Sequence, residues 1–200
     1  MSLAAAMLAS TALASSASGP AICAGCSLDA PPRTEAAPLL VVLRGDASDD
    51  LAWRAPALAA GFAVLSLTGW ENGDPSWLEE QVFAAARQRS IDLARVYLVG
   101  GGEGAAYISR HVPALGETFA AIAITGGGRA PANAACPDQT VPTYFWVDAD
   151  DAAARAMRGY LERCKQPVTW TVARGPLDKE TATTILTWMH HRLRVTTVAM

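Results

Sequence analysis

Short apolar runs rich in β-branched residues alternate with helix-forming segments along most of this chain, and that alternation restricts the fold more than any other feature. Pro38-Leu39-Leu40-Val41-Val42-Leu43 is continuously apolar, as a strand buried on both faces should be. Ser48 or Asp49 can cap the helix that follows, which runs to about Ala60 and stops at Gly61. Strands are predicted over Phe62–Leu67, Arg95–Val99, Phe119–Ile124, Val141–Val147 and Val168–Ala173. Helices are predicted over Pro75–Gln88, Glu103–His111, Asp151–Cys164 and Asp178–Leu193. Such alternation implies a single α/β domain with a mainly parallel sheet, right-handed crossovers and helices on both faces. Chemistry in such sheets gathers at the carboxyl ends of the strands. Here those ends are Arg44-Gly45-Asp46, Gly69-Trp70, Gly100–Gly104, Gly126–Gly128, Asp148–Asp151 and Arg174–Asp178.

One of these ends stands out. Val96 to Pro113, "VYLVGGGEGAAYISRHVP", opens as a strand and finishes as a helix, with Gly100-Gly101-Gly102-Glu103-Gly104 between. The pattern around it, "IDLARVYLVGGGEGAAY", resembles the I-D-x-x-R-V-Y-x-x-G-x-S-x-G-A of secreted esterases of the polyhydroxybutyrate-depolymerase and feruloyl-esterase type. "PLLVVLRGD", "FAAIAITGGG" and "VPTYFWVDADD" match the same group in order, from about Pro38 to the C-terminus. Ile91-Asp92-x-x-Arg95-Val96-Tyr97 is the most specific piece. The resemblance implies a compact α/β-hydrolase fold without a lid domain, and a Ser-Asp-His hydrolytic centre.

Position by position, that centre is incomplete. The nucleophile falls on Gly102, which has no side chain. The acid falls on Asp151, present but equally suited to cap the following helix. The histidine falls on Asp178, which cannot shuttle a proton as imidazole does and which also suits a helix cap. His190 and His191 lie late in the last helix, and His111 lies about two turns beyond Gly102. An oxyanion hole needs only backbone N–H groups, which Glu103 and the Gly45-Asp46-Ala47 loop can supply. Arg44 stands where the group has histidine and can offset the charge of Glu103. The resemblance therefore implies an esterase relative without turnover.

Three rival readings deserve weight. In a shifted register Glu103 takes the nucleophile position, and carboxylate nucleophiles are known chemistry. Gly100-x-Gly102-x-x-Ala105 also fits a dinucleotide fingerprint, but Ile124-Thr125-Gly126 stands where an acidic residue is required, so no cofactor is implied. Lastly, a cleft without catalysis can bind an acyl, aromatic or sugar ligand. Trp70, Trp77, Trp146 and Trp170 are the aromatic candidates. Trp70, in the "TGWENGD" loop, is the leading one, and Trp146, inside an apolar strand, is expected in the core.

The chain has 200 residues, 51% of them hydrophobic and 18% charged, enough to build one sizeable core. Its net charge of −3 and lack of a basic cluster argue against a nucleic-acid partner. Residues 1–17 read as a signal peptide: Leu3 to Ala14 is apolar but too short to span a bilayer, and small-x-small cleavage sites follow. Residues 18–37 are Pro/Ala-rich and read as a connector to a domain over 38–200. Secretion or periplasmic export follows, with lipid anchoring at Cys26 as a lesser alternative. An even cysteine count fits an exported chain; Cys136 with Cys164 is the expected disulfide, and the partners of Cys23 and Cys26 are left open. No His or Cys spacing forms a zinc site, so no metal is implied.

Overall fold

The computed structural model describes residues 22–32, 35–45, 47–130 and 135–194. The expected leader, residues 1–17, and Asp46 lie outside the described residues. The elements are β1 (Ser27–Asp29), β2 (Ala37–Leu43), α1 (Ala47–Ala59), β3 (Ala63–Leu67), α2 (Pro75–Gln88) and β4 (Ile91–Gly101). They continue with α3 (Gly102–Leu115), β5 (Ala121–Thr125), β6 (Thr143–Val147), α4 (Ala152–Arg163), β7 (Val168–Val172) and α5 (Lys179–His190).

The strands form one sheet in the order β1-β3-β2-β4-β5-β6-β7. All pairs are parallel except β1 with β3. The predicted α/β sheet is thus what the chain forms, with β4 at its centre. β2, β3, the Val96–Gly100 part of β4 and most of β5 are buried, which is why they read as unbroken apolar runs rather than alternating ones. One core layer packs Trp53 and Ala57 of α1 with Ile185, Leu186 and Met189 of α5 on one sheet face. The other packs α2, α3 and α4 through residues such as Val82, Ile108 and Leu161.

Two differences from the sequence reading have physical causes. Ser27–Asp29, placed in a connector, instead add an antiparallel edge to β3. Cys23 and Cys26 anchor this strand: they pair with each other, Cα to Cα 5.2 Å, and the hairpin docks through the Thr68 hydroxyl, which donates to the Ala24 carbonyl at 3.3 Å. The second difference is β4, which begins at Ile91 rather than Arg95. Its pairing with β2 skips register between Ala37↔Ile91 and Leu39↔Val96, leaving Asp92–Arg95 as a bulge. Asp92 holds that bulge by accepting from the Ala94 N–H at 2.9 Å and from Arg95 Nε at 2.6 Å. Tyr97 donates its hydroxyl to the Arg192 carbonyl at 2.8 Å, tying β4 to the chain beyond α5. The most specific motif in the sequence is therefore scaffold.

Cys136 and Cys164 pair as expected, Cα to Cα 5.3 Å. The end of α4 returns beside the segment that precedes β6, and the Tyr160 hydroxyl donates to the Ala135 carbonyl at 2.6 Å next to the bridge. On a chain-entropy account, this bridge with its 28-residue separation contributes about 3–4 kcal/mol. The Cys23–Cys26 bridge, separated by 3 residues, contributes about 2 kcal/mol. Urea titration of the two double-serine variants should show losses in that order; equal losses would mean that strand β1, not loop closure, sets the value of the first bridge.

Candidate functional site

The turn from β4 into α3 is built by packing that tolerates only glycine. A Cβ on Gly100 would lie 2.8 Å from the carbonyl carbon of Gly104, and one on Gly104 would lie 3.1 Å from the Leu43 carbonyl oxygen. The first turn of α3 is thereby pressed onto β4 and β2. Gly102 differs. Its φ is +51°, yet a Cβ there would meet nothing within 4 Å. The position is exposed and roomy, and only the backbone angle favours glycine.

Asp151 lies close to this turn. Its Oδ1 accepts from the Ala154 N–H at 2.8 Å, capping α4. Its Oδ2 accepts from the Gly127 N–H at 3.1 Å. Gly127 in turn abuts the Gly102 backbone, so near that a Cβ on it would sit 3.5 Å from the Gly102 Cα. The Gly102 N–H donates to the Gly126 carbonyl at 3.1 Å. Positive φ at Gly126, Gly127 and Gly128 lets this loop fold over the elbow. Asp151 is thus one glycine away from Gly102.

Asp178 is not oriented towards proton transfer by any imidazole. It is fully exposed and caps α5, accepting from the Thr181 N–H at 2.8 Å. The backbone and side-chain hydrogen bonds of Thr181 hold its carboxyl below the usual range. Glu103 is exposed in the first turn of α3, where the positive end of the helix favours a carboxylate. Arg44 is half-buried and Gly45 exposed at the end of β2. Among the described residues no salt bridge joins Arg44 to Glu103.

The tryptophans exchange roles. Trp70, expected to face a ligand, is 1% exposed; its indole N–H donates to the Arg44 carbonyl at 3.2 Å and its ring packs edge-on against Tyr107. The loop that carries it is polar, but the ring folds back under it. Trp146, expected in the core, is only half-buried, because β6 is followed by the single edge strand β7 and its α5-facing side is incompletely covered. Together with Trp170, Arg174 and Asp178 it lines a cleft of about 700 Å³ at the carboxyl ends of β6 and β7. Sequence periodicity gave no sign of this cleft; strand order was the missing information.

No histidine among the described residues hydrogen-bonds the elbow or Asp151. His190 packs on Phe62 at the opposite, amino end of β3. His111 stacks on Tyr107 at 4.5 Å. Burial lowers the His111 pKa below 6.5, Arg110 adds to this, and Asp74 opposes it. Among the described residues no cluster of His, Cys, Asp and Glu suits a metal ion, and no helix is long and apolar enough to cross a membrane.

No family model matches the sequence, and no curated protein matches it. Solved structures do. Esterase Est22 superposes with a TM-score of 0.64 at 14% identity, over 83% of this chain and 76% of that one. The Staphylococcus aureus fluorophosphonate-binding serine hydrolase FphF gives 0.62 at 11% identity, over 82% and 91%. The Bacillus cereus carboxylesterase gives 0.60 at 14% identity, over 82% and 92%.

Two measurements check this geometry. Gly102→Ser should fold at a cost of about 1 kcal/mol for its backbone angle, whereas Gly100→Ala should cost about 3 kcal/mol through its backbone clash. Thermal unfolding of both variants gives the comparison. Because the folded pKa of His111 lies below the unfolded value, the unfolded chain binds more protons as pH falls through 6.5. Stability should therefore fall on acidification through that window, and His111→Gln should flatten this part of the pH profile.

Proposed function

We propose that the chain, which has the α/β-hydrolase fold with the elbow on its central strand, is an exported, non-hydrolytic relative of the esterases and depolymerases, retained as a ligand-binding protein. One observation carries this reading. The elbow keeps its glycine-enforced packing and open space at position 102, while the nucleophile and proton-shuttle positions hold Gly102 and Asp178. Triad members act as a unit, so losing two removes the mechanism as surely as losing all three. Asp151 remains beside the elbow, and the Glu103 N–H remains at the start of α3. These are parts of a site for charge stabilisation without the groups that generate the charge. Two disulfides support export, since thiols stay reduced in the cytosol.

The test is hydrolysis of p-nitrophenyl acetate by the purified protein. Wild-type protein should match the uncatalysed rate, and Gly102→Ser alone should too, because a hydroxyl without a base stays a poor nucleophile. Turnover well above background that Glu103→Gln abolishes would overturn this reading and make Glu103 the nucleophile.

A further inference from the structure

The cleft beyond β6 and β7 belongs to neither the elbow nor the oxyanion loops. Parallel pairing sets Trp146 beside Thr171 and Val147 beside Val172. The chain then leaves β7 through Arg174–Leu177 and returns as α5 at Asp178 and Thr181. This return walls a cleft of about 700 Å³, a size within the range of small-molecule sites.

The tryptophans around this cleft differ in their partners. Trp170 packs against Phe145 at 5.4 Å and carries the Arg158 guanidinium over its face at 5.4 Å. Trp188 has Tyr144 and Arg192. Among the described residues no ring or cation stacks on Trp146, and its half-buried indole donates no hydrogen bond to the protein. Arg174, also in the cleft, is exposed and forms no ion pair among the described residues. Asp178 accepts from the Thr181 N–H and interacts with the Thr181 side chain, and an ionised carboxylate has further acceptor positions.

We propose that this cleft binds a neutral saccharide, with Trp146 as the platform for a sugar ring and Arg174 and Asp178 as partners for its hydroxyls. The inference rests on the binder reading above and names its ligand class. A simple anion would be drawn to Arg174 but repelled by Asp178, and a simple cation the reverse. A hydroxyl both donates and accepts, so it satisfies a guanidinium and a carboxylate together. The C–H face of a pyranose matches the apolar face of an indole, while the indole N–H remains a donor at the rim.

The experiment follows the six indole N–H signals of ¹⁵N-labelled full-length protein, with Trp146→Phe assigning one of them. Cellohexaose, xylohexaose and N-acetylchitohexaose are titrated separately, with phenylalanine as a zwitterionic control. At least one sugar should shift the Trp146 signal saturably, with a Kd below about 1 mM. Arg174→Ala and Asp178→Asn, both at exposed positions, should each weaken binding about fivefold while the protein stays folded. No shift with any sugar at about 10 mM, a shift with phenylalanine alone, or affinity unchanged in both variants would overturn the inference. The two readings fail separately. Ester turnover removes the non-hydrolytic reading and leaves the titration to stand; an inactive protein that ignores all three sugars removes only the saccharide.

Discussion

The close approach of α3 to the sheet is the contact on which the rest depends. With Gly100 against Gly104, and Gly104 against Leu43, the sheet-facing side of the helix's first turn has no room for a side chain. Any Cβ there pushes α3 outwards and uncovers Ile108 and Val112, which belong to the larger core cluster. The elbow is therefore a packing requirement before it is a catalytic device. A chain can discard chemistry at position 102 and still be obliged to keep the turn.

Much of the fold was legible because its signals are local. Continuous apolar runs mark strands buried on both faces, and Asp74-Pro75 announces α2, with Asp74 accepting from the Ser76 and Trp77 N–H groups. What escaped needed three-dimensional information. Ser27–Asp29 is too short to have a period and becomes a strand by pairing with β3, directly after the Cys23–Cys26 bridge. The Asp92–Arg95 bulge looks like part of a loop until β2 supplies its partner.

The candidate site was legible by position more than by role. The sequence read the strand-to-helix turn at Gly102 and the helix caps at Asp151 and Asp178, since strand ends and caps are local features. It misjudged the indoles, because burial of a tryptophan depends on what the strand order stacks over it. Trp70 lies in a polar loop but turns inwards onto Tyr107. Trp146 lies in an apolar strand but near the sheet edge, where cover from α5 runs out.

Gly102 and Asp178 share a property that bears on the non-hydrolytic reading proposed above. Relative to serine and histidine, each is the residue its local backbone prefers. Glycine at φ +51° avoids the strain of about 1–3 kcal/mol that a side chain bears in that region. Aspartate accepts from the Thr181 N–H, and imidazole is a weaker N-cap than a carboxylate. Active centres hold residues against such local preferences, and the strain is tolerated only while turnover is selected. Asp151 tests the rule from the other side. At its position the acid a triad would need and the preferred helix cap are the same residue, so both demands are met at once. On the non-hydrolytic reading proposed above, local stability alone accounts for all three positions: glycine suits the backbone at 102, aspartate suits the helix start at 178, and at 151 the acid and the cap coincide.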